Sequence, residues 1–229
     1  MSGHHTSTAA ILLCAGKGER LGAGVEKALA PLAGRPLFTW SLLALERCAA
    51  VDGIVVVGPV KKLREMLGAC GLVPEKIVAW SEGGRERQDS VARGLRATPP
   101  EFATVVVHDC ARALVTPELV GRVVADALAH GAAIAAVPLE DTLKRATLDR
   151  VEATVPRAGL WRAQTPQAFR RDWLEAAHAG ARAKATDDAA LVEALGHPVR
   201  ITAGDALDFK ITTSQDLALA QAWLSRAGG

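Results

Sequence analysis

Short apolar segments rich in valine, isoleucine and alanine alternate with helical patterns along the whole chain. The candidate strands are apolar on both faces, which is typical of parallel strands that helices cover on both sides. We predict strands at residues 9–14, 54–57, 76–80, 104–109 and 132–138. Strands and helices that alternate at this spacing predict an α/β fold with a doubly wound, mostly parallel sheet.

Capping residues delimit three of the predicted helices. The first begins at Pro36. The second has Thr116 as its N-cap and Pro117 as its first helical residue. The third begins with a capping box that joins Thr213 to Asp216. These signals predict helices that flank the sheet from the first quarter of the chain to its last.

Residues 139–168 interrupt this alternation. Two stretches of alternating polar and apolar residues surround a turn at residues 148–150. We predict a β-hairpin arm that projects from a single domain of residues 1–229. Because an isolated two-stranded ribbon is marginally stable in water, we expect the arm to pack on something, most simply another subunit.

Composition excludes several classes of protein. The chain has 229 residues, of which 49% are hydrophobic, and this suits one large α/β domain. A net charge of +2 argues against a nucleic-acid partner. The four cysteines are scattered and the six histidines form no zinc-binding pair. Without a signal-peptide layout or an apolar run near about 18 residues, we expect a cytoplasmic protein with no membrane partner.

A glycine-rich turn follows the first predicted strand. The dinucleotide-binding fingerprint requires glycine where this chain has Leu21, and a P-loop requires Gly-Lys followed by Ser or Thr. The turn instead carries Lys17, Arg20 and Lys27 beside a predicted helix start, where backbone N–H groups favour anions. We predict that this turn binds phosphate groups at the carboxyl edge of the sheet.

Further polar residues follow other predicted strands: Gly83, Gly84 and Ser90 after the third, Asp109 and Arg112 after the fourth, and Asp208 and Lys210 near a last short strand. A turn or cap role stays open for Asp109, and a place on a helix surface stays open for Ser90. No Ser-His-Asp or Cys-His pair is visible. If the attacking group is itself a phosphate, it is already ionised at neutral pH and needs no general base. A site with several cations and no nucleophile–base pair therefore favours nucleotidyl transfer over hydrolysis through a covalent intermediate.

The ordered motifs resemble the 2-C-methyl-D-erythritol 4-phosphate cytidylyltransferase family. They are AGKGER followed by Lys27, DSV, HDCAR, DTLKR, LWRAQTPQ, TDDA and FKITTSQDL, and they extend from about residue 9 to residue 219. The resemblance implies a Rossmann-like fold of the nucleotide-diphosphosugar-transferase type. It also implies transfer of the cytidylyl group of CTP to methylerythritol phosphate, release of pyrophosphate, a requirement for Mg²⁺ and a homodimer with exchanged arms.

The resemblance also assigns site residues. Arg20 and Lys27 stabilise the pentacoordinate phosphorus, and Arg157 and Lys210 aim the attacking phosphate. The nucleotide is bound by Ala15, Gly16, Lys17, Gly18, Gly83, Gly84 and Ser90. Methylerythritol phosphate is held by Asp109, Arg112, Thr142, Arg157, Thr165, Thr186 and Lys210. The arm residues Thr142 and Arg157 serve the neighbouring subunit. Our own candidates for magnesium ligands are Asp109 and Asp208, and a role as a turn cap stays open for Asp208.

Several residues depart from the family pattern, and four alternative functions stay open. Glu26 stands where proline is common, Cys110 where alanine is usual, Ala113 where proline usually follows the arginine, and Asp208 where asparagine is frequent. The nearest alternative is a cytidylyltransferase for another polyol phosphate, such as ribitol 5-phosphate, although DTLKR and TVPRAGLW favour methylerythritol phosphate. The others are a sugar-phosphate nucleotidyltransferase for another base, a dinucleotide-binding dehydrogenase, which Leu21 disfavours, and an inactive paralogue, which the retention of Arg20 and Lys27 disfavours.

Overall fold

The structure is a computed structural model that describes residues 6–16, 26–181 and 185–227. Lys17, Gly18 and Arg20, which the sequence analysis assigned to the phosphate-binding turn, lie outside these ranges. No helix in the described part of the chain is both long and apolar enough to span a bilayer.

Eleven strands and seven α-helices form the described chain. The strands are β1 (Thr8–Leu13), β2 (Pro31–Leu32), β3 (Arg35–Pro36), β4 (Gly53–Val57), β5 (Ile77–Ser81), β6 (Thr104–Asp109), β7 (Ala132–Pro138), β8 (Leu143–Thr147), β9 (Arg150–Val155), β10 (Trp161–Arg170) and β11 (Arg200–Ala203). The helices are α1 (Leu37–Arg47), α2 (Val60–Ala69), α3 (Arg87–Ala97), α4 (Pro117–His130), α5 (Arg171–Gly180), α6 (Asp188–Ala194) and α7 (Ser214–Ala227).

The central sheet has seven strands in the order β11-β7-β10-β6-β1-β4-β5. All of its pairings are parallel except those of β10, which runs antiparallel to β6 and β7. This confirms the predicted α/β fold with a mostly parallel sheet, and the five predicted strands correspond to β1, β4, β5, β6 and β7. Strand β10 was not predicted, because it continues directly from the proline-containing segment that returns from the arm. The last short strand, expected near Asp208 and Lys210, lies earlier in the chain as β11, and those two residues stand in the loop that follows it.

Two apolar layers cover the sheet, as the uniformly apolar strands predicted. Leu12 of β1 packs in the layer with helices α1, α2, α4 and α7, whereas Ile11 packs in the layer with α3, α5 and α6. Both side chains are fully buried. The alternation of side chains along a strand thus gives each face of the sheet its own core.

The predicted helix caps are present. The Thr116 hydroxyl accepts a hydrogen bond from the Leu119 amide at 3.2 Å, at the start of α4. At the start of α7, the Asp216 carboxylate accepts from the Thr213 amide at 2.8 Å and the Thr213 hydroxyl accepts from the Asp216 amide at 3.2 Å. Helix α1 begins one residue later than predicted, because Pro36 is its N-cap.

The β-hairpin arm is confirmed as a separate two-stranded antiparallel sheet of β8 and β9. Most of its residues are exposed, including Leu148 at its tip and Val151. The hairpin covers less than the predicted segment of residues 139–168, because residues from Trp161 onward join the central sheet as β10.

Close packing of α3 on the sheet depends on Gly94. A Cβ atom at this position would lie 2.6 Å from Cγ2 of Ile11 and 3.0 Å from Cγ2 of Val57. We expect Gly94→Ala to lower the free energy of unfolding, because overpacking costs about 1–3 kcal/mol and alanine recovers at most about 1 kcal/mol of helix propensity. Gly68→Ala in α2 is the control, since a Cβ there meets nothing within 4 Å. Urea denaturation should show a lower free energy of unfolding for Gly94→Ala and no decrease for Gly68→Ala. A Gly94→Ala variant as stable as the parent protein would contradict this explanation of the packing.

Candidate active site

A cleft opens where the parallel strands of the central sheet end. Its volume is about 960 Å³. Ala15 and Gly16 follow β1, Gly83 and Gly84 follow β5, and Asp109 is the last residue of β6; all five line the cleft. Ligands of open α/β sheets bind at this edge. The fold therefore brings together three segments that the sequence analysis had singled out separately.

Two of the predicted lysines line the same cleft. Lys27 begins a short 3₁₀-helix of residues Lys27–Leu29. Lys210 stands in the loop between β11 and α7, and its Nζ donates a hydrogen bond to Oδ2 of Asp109 at 2.6 Å. The cleft thus has positive charge from distant parts of the chain, as a phosphate-binding site requires.

Asp109 is the acidic centre of the cleft. Its side chain is 11% exposed, and Nε of Arg87 donates to its Oδ1 at 3.0 Å while Lys210 contacts Oδ2. Burial by itself would raise the pKa of this carboxyl. The ion pairs with Arg87 and Lys210 outweigh burial and hold the pKa of Asp109 well below its usual range, so the carboxylate is ionised at neutral pH.

Arg87 is a cleft residue that the sequence analysis missed. It lines the cleft, and its guanidinium contacts both Asp109 and Asp188. The segment SEGGRERQDSV was already recognised for its glycines and its serine, and a basic side chain two residues before the DSV motif was the available signal. The sequence did not reveal which carboxylates this arginine would meet.

The loop after β5 is held close to the turn after β1. A Cβ on Gly83 would lie 2.3 Å from the Cβ of Ala15, so the two turns approach only because residue 83 has no side chain. The Ser90 hydroxyl accepts a hydrogen bond from the Gly84 amide at 3.0 Å and donates to the Glu86 carbonyl at 3.1 Å. Ser90 therefore fixes the shape of this loop, and it lines the cleft as predicted.

Thr165 and Arg112 lie beside β6, where they bind backbone groups. The Thr165 hydroxyl accepts from the Asp109 amide at 3.1 Å and pairs with Nδ1 of His108 at 3.1 Å. Nη1 of Arg112 donates to the Asp208 carbonyl at 2.5 Å. Both residues thus hold the backbone around Asp109 and Asp208, and their roles toward a substrate stay predictions.

The remaining predicted substrate residues are not among the residues that line the cleft. Thr142 and Arg157 are exposed at the base of the hairpin arm, just before β8 and just after β9. Thr186 is exposed just before α6. Their roles toward a substrate stay predictions.

The chain matches the family described as IspD, 2-C-methyl-D-erythritol 4-phosphate cytidylyltransferase, over residues 8–226. The chain belongs to this family. It is 48% identical over 223 residues to the 2-C-methyl-D-erythritol 4-phosphate cytidylyltransferase of Frankia casuarinae, covering 95% of this chain and 81% of that relative.

Solved structures agree with this assignment to the IspD family. The crystal structure of 4-diphosphocytidyl-2C-methyl-D-erythritol synthase from Anaerococcus prevotii superimposes with a TM-score of 0.83 at 26% identity, covering 97% of this chain and 100% of that one. The 2-C-methyl-D-erythritol 4-phosphate cytidylyltransferase from Thermus thermophilus gives a TM-score of 0.75 at 36% identity, covering 94% of this chain and 98% of that one.

Glu26, one departure from the IspD pattern, contacts a neighbouring helix. Its Oε1 accepts a hydrogen bond from Nζ of Lys62 in α2 at 2.8 Å. The carboxylate next to Lys27 in the chain is therefore paired with Lys62. Because Lys62 is largely exposed, this pair contributes at most about 1 kcal/mol.

Asp208, another departure, is a buried carboxyl with both oxygens lacking a hydrogen-bond partner among the described residues. Burial raises its pKa to about 8; Arg112 opposes the shift, and Asp205 and Asp109 add to it. In the described part of the chain, no three His, Cys, Asp or Glu side chains form a group suited to a metal ion. The predicted magnesium roles of Asp109 and Asp208 thus have no protein-only site to support them.

Asp208→Asn should raise the free energy of unfolding at alkaline pH. The native carboxyl titrates near pH 8 and the unfolded one near 3.8, so between these values the native state binds a proton that the unfolded state releases. The stability that this carboxyl contributes is therefore present at low pH and is lost as the pH rises toward 8. We expect a gain of at least about 1 kcal/mol for the variant at pH 8 and a smaller one at pH 5.

Urea denaturation of both proteins at the two pH values measures this difference. Asp149→Asn, an exposed change at the tip of the arm, is the control and should leave the pH dependence unchanged. A variant that is less stable than the parent at pH 8 would show that the Asp208 charge is stabilised in the fold.

Proposed function

We propose that the cleft around Asp109 transfers the cytidylyl group of CTP to 2-C-methyl-D-erythritol 4-phosphate. The products are 4-diphosphocytidyl-2-C-methyl-D-erythritol and pyrophosphate, and the reaction belongs to non-mevalonate isoprenoid biosynthesis. The chain's membership of the IspD family supports this reaction. It is a nucleotidyltransferase of the cytidylyltransferase class.

The observation that supports this chemistry best is the set of cations around one ionised carboxylate. Lys27, Arg87 and Lys210 line the cleft together with Asp109. The Ser90 hydroxyl is bonded to backbone groups, and burial lowers the pKa of His108 to about 4, which keeps its imidazole neutral at pH 7. A covalent nucleophile with its own base is not required when the acceptor is an ionised phosphate.

In the proposed mechanism, a phosphate oxygen of methylerythritol phosphate attacks the α-phosphorus of CTP. A new P–O bond forms, the bond from the α-phosphorus to the bridging oxygen breaks, and pyrophosphate leaves with the electron pair. Lys27 and Arg20 neutralise charge on the phosphorus, and Lys210 orients the incoming phosphate. Each cation acts mainly by electrostatic stabilisation, which is usually the largest contribution to catalysis.

We further propose that the reaction requires Mg²⁺, which neutralises the triphosphate and the departing pyrophosphate when it is bound. Mg²⁺ in such sites takes most of its ligands from water and substrate phosphates, with one or two carboxylates from the protein. Asp109 faces the cleft, and its two oxygens offer more acceptor positions than Arg87 and Lys210 use. Asp109 therefore fits this role better than the buried Asp208.

A homodimer with exchanged arms would complete the site. Leu148, at the tip of the arm, is 98% exposed, and Val151 and Trp161 are also exposed large hydrophobic residues. An isolated ribbon of two strands gains little stability by itself. We propose that a second subunit covers the arm and that Thr142 and Arg157 bind the acceptor in the neighbour's cleft.

We also place the enzyme in the cytoplasm. All four cysteines are free, and three of them are buried. Free thiols suit a reducing compartment.

The substrate assignment is tested by pyrophosphate release from CTP with methylerythritol phosphate or ribitol 5-phosphate as acceptor. We expect turnover with the first acceptor only. Lys27→Ala should lower kcat by about 100- to 1,000-fold with little change in CTP affinity, because the charge is needed most in the transition state.

Lys61→Ala is the matched control for Lys27→Ala, since Lys61 is an exposed lysine on α2. This control should retain full activity. Turnover with ribitol 5-phosphate but not with methylerythritol phosphate would show that the proposed acceptor is wrong. A change in CTP affinity with unchanged kcat in Lys27→Ala would show that Lys27 binds CTP but does not stabilise the transition state.

Arm exchange is tested by mixing Arg157→Ala subunits with Lys27→Ala subunits. If the arm serves the neighbour, each mixed dimer contains one intact site, so a random mixture should recover about one quarter of the parent activity. Each variant alone should be nearly inactive. Absence of recovery in verified mixed dimers would place both residues in the site of one chain.

A further inference from the structure

A series of side-chain contacts extends from Asp109 through Arg87 and Asp188 to His178. Nε of Arg87 donates to Oδ1 of Asp109 at 3.0 Å, and Nη1 of the same guanidinium donates to Oδ2 of Asp188 at 2.6 Å. Nε2 of His178 contacts the other oxygen of Asp188 at 2.9 Å. These contacts connect β6, α3, α6 and α5 through side chains alone.

Asp188 is held rigidly in this series. It is 1% exposed and is the first residue of α6, whose N-cap is Asp187. Gln167 of β10 binds the same helix start: its Nε2 donates to Oδ2 of Asp187 at 2.9 Å and its Oε1 accepts from the Ala189 amide at 3.3 Å. The position of Asp188 is thus fixed relative to the central sheet.

His178 has one hydrogen-bond partner in the described structure. An ionised carboxylate only accepts hydrogen bonds, so Nε2 carries the proton that is donated to Asp188. The other ring nitrogen, Nδ1, is buried and has no partner among the described residues. The contact that the imidazole makes is therefore directed at Asp188.

Asp109 would be poorly oriented without this support. Its other oxygen is held by Lys210, whose side chain is 42% exposed and whose long stem leaves many rotamers available. A guanidinium that contacts two carboxylates at once has one orientation, because its donors form a rigid planar fork. Arg87 can hold Asp109 in one place only because Asp188 holds Arg87.

We propose that Asp188 is a positioning residue that fixes Arg87, and through it the Asp109 carboxylate, toward the hydroxyl groups of the bound acceptor, and that His178 fixes Asp188. This inference rests on the proposed function and on the acceptor-binding role that the family resemblance assigns to Asp109. A structural ion pair between α3 and α6 would need only Arg87 and Asp188. The extension of the same guanidinium to a carboxylate of the cleft is what connects the pair to the substrate.

The proposal is tested by steady-state kinetics in which CTP and methylerythritol phosphate are varied separately. Asp188→Asn should lower kcat/KM for the acceptor by about 10- to 100-fold, as loss of an outer support typically does, and should leave the KM for CTP within about twofold. Asp172→Asn is the matched control, because Asp172 forms an exposed pair with Arg170 on another surface. The control should be indistinguishable from the parent enzyme.

Arg87→Lys separates positioning from simple charge. Lysine keeps the positive charge but cannot contact two carboxylates in the geometry of a guanidinium. We expect Arg87→Lys to reproduce the loss in Asp188→Asn, and the double variant to be no worse than Arg87→Lys alone, because the two residues act in series. Near-normal acceptor kinetics for Arg87→Lys, or additive losses, would overturn the proposal.

Two variants of His178 test the same proposal while Asp188 itself is unchanged. His178→Gln keeps a donor in place of Nε2 and should retain most of the activity, whereas His178→Leu removes the donor and should shift acceptor kcat/KM in the same direction as Asp188→Asn. Calorimetric titration with CTP checks that each variant keeps a folded nucleotide site. Equal activity of the two His178 variants, or loss of CTP binding in parallel with acceptor use, would contradict a positioning role.

The proposed function is judged on the parent enzyme alone. If that enzyme fails to use methylerythritol phosphate, the function is wrong. If it turns over normally and the Asp188 and His178 variants match it, only the positioning role is wrong.

Discussion

The ionised carboxylate of Asp109, held between two cations at the edge of the sheet, is the interaction on which the site depends. Burial disfavours its charge, and the ion pairs with Arg87 and Lys210 compensate. Removal of one partner from such a buried pair leaves an uncompensated charge, which is far more costly than loss of a surface pair. Arg87 begins α3, whereas Lys210 lies in the loop between β11 and α7, so a stable Asp109 requires that the sheet edge be assembled around it.

Two glycines make that assembly possible. The loop after β5 approaches the turn after β1 so closely that a Cβ on Gly83 would overlap Ala15. On the face of the sheet that α3, α5 and α6 cover, Gly94 allows α3 to pack closely against Ile11 and Val57. Both glycines are needed for close approach of backbone or side chains, and both lie on the segment that also carries Arg87 and Ser90. The same packing therefore shapes the nucleotide loop and directs the arginine toward Asp109.

Much of the fold was predictable because its signals are local. Strands that are apolar on both faces identified β1, β4, β5, β6 and β7, and side-chain caps identified the starts of α4 and α7. The antiparallel strand β10 was missed because the run that forms it contains Pro166 and polar residues, which disfavour a central strand. Its place between β6 and β7 is a matter of long-range pairing, which no local pattern records.

The sequence by itself determined the fold class, the hairpin, the family and most of the residues that face the cleft, because strand ends, glycines and ordered motifs are encoded by neighbouring residues. The tertiary structure decided which charges meet. Arg87 contacts Asp109, 22 residues away, and Asp188, 101 residues away, and Lys210 contacts Asp109 across 101 residues. These contacts, and the burial of Asp208 without a partner among the described residues, depend on how distant segments of the chain meet. Electrostatic interactions and burial act through space, so these facts became visible only when the chain was folded.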